Sequence, residues 1–535
     1  MIASKSFGIL GNVVGRFRFF AFSSGCLAAI ALSACAVPQA APTQTAAPAV
    51  TPLADNSDSR LFAETYESIL QYHIEATRAD VIALAALGEL PALDAKVSIA
   101  RDGDTVTLRR DGQTWQFGAP LPFDSTEWGK VTAAAIKTAR DASPALAAQP
   151  IDELDELVID HALATLDRFS HYSRPELARE WRAARDGYGG IGIILDGDTG
   201  TRIASVMANS PAAIAGIRID DRIVTLDGVS SASMTAEELR ERLRGPASSL
   251  VVVGIQRAGL EKPISLSIKR AHLVPPTVTL REDGGIAIIK ITSFNQCTAE
   301  SVIELLQQAH RELGDRLKGI ALDLRDNPGG LLDQSIEVAS QFLDGGTIVT
   351  TIGRNPESFQ YFAAPNDHHA ERLPMVVLVN GGSASASEIV AAALQDSGRA
   401  IVIGTASYGK GTVQTVLRTS NDGELTVTWA RLVTPRGYFL HHHGVVPTIC
   451  TAGAPKGAAI AAILAKTPSP ALTRPRDMLD ESGWTALRDA CPAERADRSL
   501  DVKLAHRLLE DRALYTRVLH NDPVNLAHNY QSAAR

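Results

Sequence analysis

Runs of consecutive apolar residues separated by helical segments constrain the fold of this 535-residue chain more than any other feature. From about Pro275 the runs read "GIAIIKI", "KGIALDLRDN", "PMVVLVNG" and "AIVIGT", with the helical patterns "AESVIELLQQAHREL" and "SEIVAAALQDSG" between them. Strands that are apolar at consecutive positions are buried on both faces, which is typical of parallel pairing with helical crossovers. The segment 273–450 is therefore predicted to be an α/β core.

The segments at the two ends of the chain have mostly helical patterns. From Arg60 apolar residues recur at a spacing of three to four, whereas about 97–117 alternates and contains two Asp-Gly turns, which predicts a small β-meander. Residues 60–186 are thus predicted to be a mostly helical region with a β insert. Residues 451–535 are predicted to be helical, with "VKLAHRLLEDRALYTRVL" the clearest segment.

Residues 187–272 combine short apolar strands with Gly and Asp turns, as in "GYGGIGIILDG" and "SPAAIAGIRIDDRIVTLDG". With the helix "TAEELRERLRG" and the strand "SLVVVGIQRAG", this pattern resembles a PDZ domain. The resemblance implies that backbone N–H groups of the loop Gly190, Ile191, Gly192 and Ile193 receive the terminal carboxylate of a peptide, which adds as a strand to the sheet edge. The alternative is that these glycines only form a tight turn.

The N-terminus has the layout of a secretory signal, in which basic residues precede the apolar run "FFAFSSGCLAAIALSAC". Its end, "LSAC", resembles a bacterial lipobox, which implies removal of residues 1–34 and lipidation of Cys35. An uncleaved signal anchor and a plain cleavable signal are the alternatives. Residues 35–59 are predicted to be a flexible tether. Because Ala36 replaces the aspartate that retains such proteins at the inner membrane, we expect a lipid anchor on the periplasmic side of the cell envelope, with the outer membrane favoured.

Charge and cysteine content narrow the possible partners. The formal net charge of −8 argues against nucleic acid as an electrostatic partner. An oxidising compartment permits a disulfide between Cys450 and Cys491, which their spacing alone does not establish. The histidines of "DHH" (367–369) and "HHH" (441–443) are interpreted as exposed loop residues, because no third or fourth ligand accompanies them, so we expect no metal.

The stretch "NGGSASASEI" places three serines where a predicted strand meets a predicted helix. Ser385 starts an S-x-x-E pattern, so one reading is that it only caps the helix. The same position also faces unpaired N–H groups and the positive end of the helix dipole, which stabilise a developing oxyanion. No histidine occurs between Ala370 and Leu440, and the G-x-S-x-G pattern of α/β-hydrolases is not met. A nucleophilic Ser385 therefore needs a different base.

Lys410, between two glycines in "GTASYGKGTVQT", is the candidate base. A lysine amine acts as a general base only when neutral, so its pKa must fall from about 10.4 to roughly 7–8. Burial in an apolar site supplies such a shift. Gln414 is placed to accept a hydrogen bond from the amine and orient it without adding a charge. The alternative is a surface lysine in a Gly-rich turn.

The two stretches together resemble the C-terminal processing (tail-specific) serine peptidases, as do "ALDLRDNPGGLL" and "LVTPRGYFLHHHGVVPTI". The resemblance covers about residues 150–450 and implies a crotonase-like α/β peptidase core. Within it Ser385 is the nucleophile, Lys410 is the base and Gln414 supports the base.

The same resemblance implies an oxyanion hole, formed by the N–H of Ala386 and a glycine N–H from the "NPGG" turn, either Gly329 or Gly330. Ser383 and Ser387 are then structural. One departure stands out: family members often carry "LDPHSxY" before the PDZ domain, whereas this chain has "LDRFSHY" at 166–172.

The sequence thus predicts a multidomain α/β protein with a PDZ domain and helical regions at both ends. We expect a serine endopeptidase that cleaves envelope proteins near their C-termini without a cofactor, using polypeptides with apolar tails as substrates. An adaptor protein and a homo-oligomer are further candidate partners. The alternatives are a catalytically silent PDZ scaffold, and a serine hydrolase of small esters or amides.

Overall fold

The computed structural model describes residues 53, 56–197, 200–455, 458–465, 479–495 and 499–521. The predicted signal peptide, the predicted lipidation site Cys35 and most of the predicted tether lie outside these residues. None of the helices within these ranges is both long and apolar enough to cross a membrane.

The N-terminal region consists of helices around a three-stranded meander, which confirms the predicted pattern. Its elements are α1 (Ser57–Tyr72), α2 (Ala79–Leu87), α3 (Leu90–Leu93), β1 (Val97–Asp102), β2 (Thr105–Arg110), β3 (Gln113–Gly118), α4 (Ser125–Ala142), α5 (Pro144–Ala147) and α6 (Ile151–Ala164). The three strands pair antiparallel in sequence order. Asp111 and Gly112, between β2 and β3, both have positive φ (46° and 82°), the conformation that an Asp-Gly hairpin turn favours.

A strand, a helix and a small β-rich unit follow. They are β4 (His171–Ser173), α7 (Pro175–Asp186), β5 (Tyr188–Gly190), β6 (Ile193–Leu195), β7 (Ile203–Val206), α8 (Pro211–Ile214), β8 (Arg222–Leu226), β9 (Val229–Ser230), α9 (Ala236–Leu243), β10 (Leu250–Gln256), β11 (Ile264–Lys269) and β12 (Ala271–Leu273). Four strands form a sheet in the order β11-β10-β8-β9, and two pairs, β12-β5 and β6-β7, complete the unit. An apolar core of its own includes Ile203, Leu239 and Val253.

The α/β core contains the apolar runs predicted to be buried strands. Its elements are β13 (Val278–Asp283), β14 (Ile286–Ile291), α10 (Thr298–Leu313), β15 (Gly319–Asp323), α11 (Leu332–Ser340), β16 (Thr347–Ile352), β17 (Gln360–Ala363), β18 (Met375–Val379), α12 (Ala386–Asp396), β19 (Ile401–Gly404), β20 (Thr412–Arg418), β21 (Glu424–Val433) and β22 (Ile449–Cys450). A six-stranded sheet has the order β13-β14-β15-β18-β19-β22. Only its β13–β14 pair is antiparallel, so the predicted parallel pairing is confirmed.

A second sheet of the core is antiparallel and joins distant parts of the chain. Its order is β17-β16-β21-β20, and β4 pairs with β21 across about 250 positions of sequence. Leu425 and Val427 of β21 are fully buried in the same apolar cluster as Phe62, Tyr66 and Trp128 of the N-terminal region. Strand β21 is therefore part of both the α/β core and the helical N-terminal half.

The described part of the C-terminal region is helical, as predicted, with α13 (Ile460–Leu464), α14 (Glu481–Ala490), α15 (Ser499–Glu510) and α16 (Arg512–Asn521). Leu504, Leu508 and Tyr515 are buried against one face of the six-stranded sheet, where they meet strand residues such as Val376 and Ile401. Helices α10 to α12 cover the opposite face. Because both faces are covered, the central strands need apolar residues at every position.

A disulfide between Cys450 and Cys491 fastens the C-terminal region to the end of β22. Past Cys491, the carbonyl of Glu494 accepts hydrogen bonds from the N–H of Gly381 (2.8 Å) and the hydroxyl of Thr405 (3.1 Å). The disulfide thus holds a segment that contacts the loop leading to the three serines.

We expect Cys491→Ser to lower the free energy of unfolding by about 3–4 kcal/mol, because the 41-residue separation gives the bridge a sizeable loop to constrain in the unfolded chain. Urea unfolding of the oxidised protein measures the change. Cys297→Ser is the matched control, since Cys297 is a free cysteine and its replacement leaves the bridge intact. Equal stability of the two variants would contradict the prediction.

Candidate active site

Ser385 occupies the junction between β18 and α12 in a strained backbone conformation. It is the residue that precedes α12, with φ of 55° and ψ of −114°. A positive φ costs free energy for any residue except glycine, and such strain is found most often at functional positions. Its neighbours Ala384 and Ala386 are buried, whereas Ser385 itself is half-exposed. The turn therefore presents one serine at the surface of an otherwise buried segment.

The other two serines of the stretch have structural hydrogen bonds. The Ser383 hydroxyl donates to the carbonyl of Leu324 at 2.8 Å, and the Ser387 hydroxyl donates to the carbonyl of Asn327 at 2.9 Å. Both side chains thereby tie the serine turn to the loop that follows β15. This geometry agrees with the structural role predicted for them.

Asn327 organises the "NPGG" turn. Its side chain accepts a hydrogen bond from the N–H of Gly329 at 2.8 Å and donates to the carbonyl of Ile291 at 2.9 Å, while its own carbonyl accepts from the N–H of Ala384 at 3.0 Å. The Gly329 N–H is therefore engaged within the turn. Of the two glycines predicted as oxyanion donors, this leaves Gly330 as the one with an available N–H.

Gly330 lies beside Phe294 in a parallel bridge. The Phe294 N–H donates to the carbonyl of Gly329, and the Phe294 carbonyl accepts from the N–H of Leu331, both at 2.9 Å. In a parallel bridge the intervening N–H points to the other side of the strand. Neither the Gly330 N–H nor that of Ala386, the first residue of α12, donates to another described residue.

Glu388 joins the serine turn to the lysine loop, a role that the sequence analysis missed. One oxygen, Oε2, accepts from the backbone N–H of Ser385 (2.8 Å) and of Lys410 (2.9 Å), so these two nitrogens are no farther apart than the sum of those distances. The other oxygen accepts from the Gly409 N–H (2.7 Å) and the Ser407 hydroxyl. Burial raises the pKa of this carboxyl above its ordinary value, and the accepted hydrogen bonds offset part of the rise.

The Lys410 side chain is half-buried. Burial lowers its pKa below the ordinary value for lysine, and the negative charges of Glu388 and Asp167 oppose this shift. The direction is the one that a lysine base requires. The amine nitrogen lies 5.1 Å from the centre of the Phe169 ring.

Gln414 does not contact the Lys410 amine in this conformation. Its amide nitrogen donates to the hydroxyls of Thr412 (2.9 Å) and Thr428 (3.2 Å), and its carbonyl oxygen has no partner among the described residues. The predicted hydrogen bond from the amine to Gln414 is therefore not formed here.

The "HHH" segment differs in part from its predicted exposed state, because His441 and His443 are half-buried whereas His442 is exposed. His441 is half-buried, its ring lies 5.9 Å from that of Phe169 and 3.9 Å from that of His442, and burial lowers its pKa to about 4. The reason is that the turn after β21 folds back over the 166–170 loop. No group of three or more His, Cys, Asp or Glu in the described part of the chain is arranged to hold a metal ion.

The loop predicted to bind a peptide carboxylate lies between β5 and β6. Gly192 has a φ of 85°, and Ile191 is buried, with its carbonyl accepting from the N–H of Ala212 at 2.8 Å. The N–H groups of Ile191 and Gly192 donate to no other described residue. Strand β6 pairs only with β7 among the described strands, so its other edge is open.

Comparison with known proteins adds family information to this geometry. A model of peptidase family S41 matches residues 285–451, and a PDZ domain model matches residues 202–257. A carboxy-terminal-processing protease of Bartonella bacilliformis is 38% identical over 300 residues, which cover 56% of this chain and 69% of that protein. A carboxyl-terminal-processing protease of Synechocystis sp. is 34% identical over 299 residues, covering 54% and 69%.

A similar solved structure is the photosystem II D1 C-terminal processing protease. It is 25% identical, with a TM-score of 0.37, and the match covers 74% of this chain and 92% of that chain.

Proposed function

This chain belongs to peptidase family S41, among the carboxy-terminal-processing serine proteases, and from this premise we propose that Ser385 and Lys410 form its catalytic dyad. The observation that carries the proposal is the Glu388 carboxylate, which binds the backbone of both residues through a single oxygen. A buried carboxylate with several donors fixes the relative position of the segments it joins. The backbones of the two residues are thereby held close together.

The chemistry then has two steps. The Ser385 hydroxyl oxygen attacks the carbonyl carbon of the scissile bond, its proton passes to the neutral Lys410 amine, and Lys410 returns that proton to the departing amine of the substrate. In the second step Lys410 removes a proton from water, whose oxygen attacks the acyl-enzyme carbonyl carbon. The ester bond to Ser385 then breaks, Lys410 returns the proton to the Ser385 oxygen, and the new C-terminus is released. The lowered pKa of Lys410 supports this role, because it increases the neutral fraction near pH 7.

The oxyanion of each tetrahedral intermediate is assigned to the N–H groups of Ala386 and Gly330. Ala386 supplies the first N–H of α12, which has no partner within the helix and lies at the positive end of the helix dipole. The Gly329 N–H is excluded because it already binds Asn327. Gln414 is assigned to the lysine, because its fixed amide nitrogen leaves the carbonyl oxygen available to accept from the amine.

Gly329→Ala tests how closely the "NPGG" turn approaches the nucleophile. An added Cβ would lie 2.9 Å from the Ser385 Cβ and 2.8 Å from the Ala384 carbonyl oxygen, so the turn must move. We expect kcat/KM to fall by about 100-fold, the usual effect of displacing a catalytic group by an ångström.

Gly437→Ala is the matched control for that substitution. Gly437 also has a positive φ, 86° against 105° for Gly329, but an added Cβ there meets no atom within 4 Å. Backbone strain is thus comparable in the two variants, and only Gly329→Ala presses on Ser385. Comparable kcat/KM values for the two variants would contradict the proposed geometry.

We assign substrate recruitment to the PDZ domain. The unpaired N–H groups of Ile191 and Gly192 suit a terminal carboxylate, and the open edge of β6 suits an added peptide strand. The substrates would be envelope proteins with apolar C-terminal tails. Lipidation of Cys35 would place the enzyme at the periplasmic side of the envelope, and an adaptor or a second copy of the chain are further partners in this proposal.

A proteolysis time course tests the proposal. The soluble form starting at Ala36, as wild type, Ser385→Ala and Lys410→Ala, is given an unfolded polypeptide ending in apolar residues and the same polypeptide ending in Asp. We expect cleavage by wild type alone and a preference for the apolar tail. Equal trace cleavage by all three would instead favour a silent PDZ scaffold, and hydrolysis of small esters without polypeptide cleavage would favour a small-molecule hydrolase.

A further inference from the structure

We infer that Phe169 is a positioning residue that holds the Lys410 amine in a resting place, in which the amine makes no hydrogen bond to Ser385. The inference rests on the proposed role of Lys410 as base. The amine nitrogen lies over the Phe169 ring, 5.1 Å from its centre. No hydrogen bond or ion pair joins the amine to a described residue, so the contact with this ring is the interaction that the structure gives it. An ammonium group over an aromatic face is attracted by the negative charge of that face.

The loop that carries Phe169 is rigid, because one carboxylate organises it. Asp167 accepts hydrogen bonds from the N–H groups of Phe169 (2.6 Å) and Ser170 (2.9 Å) and from the hydroxyl of Thr428 in β21 (3.1 Å). Its second oxygen contacts the ring of His73, just beyond α1, at 3.1 Å. Although burial acts to raise it, these hydrogen bonds bring the pKa of Asp167 below its ordinary value. The Phe169 ring is thus fixed both to the antiparallel sheet that contains β21 and to the N-terminal helices.

A second cation and a second aromatic ring also contact the Phe169 ring. The Arg168 guanidinium lies 4.7 Å from the ring centre, and the His441 ring meets it edge-on at 5.9 Å. A cavity of about 340 Å³ lies beside this group, lined by residues that include Phe169, Thr412 and His441. The cavity therefore borders Phe169, whose ring is also in contact with the Lys410 amine.

Two opposing influences act on the Lys410 amine in this position. Burial favours the neutral form that catalysis needs, whereas the ring face and the charges of Glu388 and Asp167 favour the ammonium form. His441, with a pKa of about 4, is neutral near pH 7 and adds no charge, while Arg168 is a cation on the same ring. Phe169 therefore stabilises the charged, inactive form of the base. In this position the amine makes no hydrogen bond to the Ser385 hydroxyl, which it must contact to act as the base.

Graded fluorination of Phe169 isolates the contribution of the ring face. Site-specific incorporation of mono-, di- and trifluorophenylalanine at position 169 withdraws negative charge from the ring face and changes its shape little. We expect the acid limb of the kcat/KM profile to move stepwise to lower pH, by about half to one pH unit for the trifluoro variant. The same series at the exposed Phe359 is the control and should leave the profile unchanged.

A second measurement reads the amine directly, without using catalysis. In a Ser385→Ala background, the rate at which acetic anhydride modifies Lys410 is followed against pH by peptide mass mapping, since only a neutral amine reacts. The profile should shift in parallel with the fluorination series. If neither profile moves with fluorination, Phe169 is not a positioning residue for the amine. If Lys410→Arg remains active, but the acetylation profile of Lys410 in the Ser385→Ala background still shifts with fluorination, Lys410 is not the base while its contact with Phe169 stands.

Discussion

Replacement of Lys410 by methionine reduces kcat/KM by about 10⁴-fold or more and leaves the fold intact. Removal of the base of a serine peptidase costs this much because the nucleophile then has no group to accept its proton. Methionine retains the apolar stem of the side chain in its half-buried site. Cleavage of an unfolded polypeptide measures the loss, and binding of an apolar-tailed peptide to the same variant verifies that the protein is folded.

Lys410→Arg separates a base from a mere positive charge. Arginine keeps the cation but is not deprotonated in proteins, so we expect this variant to be as inactive as Lys410→Met. Substantial activity of Lys410→Arg would contradict the assignment of Lys410 as base.

In the wild type, cleavage should fall as the pH is lowered through the pKa of Lys410, because the amine is then protonated. That pKa lies below the ordinary value for lysine, so the fall should occur at a lower pH than an ordinary lysine would give.

Glu388→Gln should damage both the stability of the protein and its catalysis. The carboxylate accepts from four donors, and the amide nitrogen of glutamine would face two of them without accepting from either. Buried donors left without a partner cost about 1–3 kcal/mol each, so we expect a loss of about 2–4 kcal/mol in the free energy of unfolding. Because Ser385 and Lys410 lose their shared anchor, kcat/KM should fall by about 100-fold or more.

Glu238→Gln provides the matched control for this substitution. Glu238 occupies the same capping position three residues after Thr235 at the start of α9, and its carboxylate accepts from the Thr235 N–H at 2.8 Å, but the site is exposed. Its replacement should cost under about 1 kcal/mol and leave cleavage unchanged. Urea unfolding and kcat/KM of both variants test the contrast. Wild-type values for Glu388→Gln would show that the carboxylate does not hold the dyad together.

Local patterns in the sequence were sufficient to predict several parts of the fold. The strand Met375–Val379 is apolar at every position because helices cover both faces of its sheet, and this environment can be read from the run itself. The Asp111–Gly112 turn was predictable because its φ angles suit those residue types. The pairing of β4 with β21 was not predictable, since it depends on a contact between segments far apart in the chain.

The residues of the candidate site likewise differ in how far the sequence predicts them. Ser385 and Lys410 were predicted from their surroundings together with the resemblance to the C-terminal processing peptidases. Glu388 was noticed only as part of a capping pattern, because nothing local reveals that its carboxylate also reaches the loop of Lys410. Phe169 was marked as a departure from a family pattern, but its contact with the amine arises from tertiary packing. Gln414 was assigned by position, and its actual partners lie on the neighbouring strand.

Strand β21 has a consequence for how the protein can be divided. Its buried residues Leu425 and Val427 complete the apolar core of the N-terminal helices, and its Thr428 supports the loop of Phe169. Deleting the region before Asp186 would expose buried residues of β21, which is a strand of the antiparallel sheet of the core. The helical half is therefore an integral piece of the enzyme and not an accessory module. A minimal proteolytic fragment that begins at the PDZ domain would have lost part of its own interior.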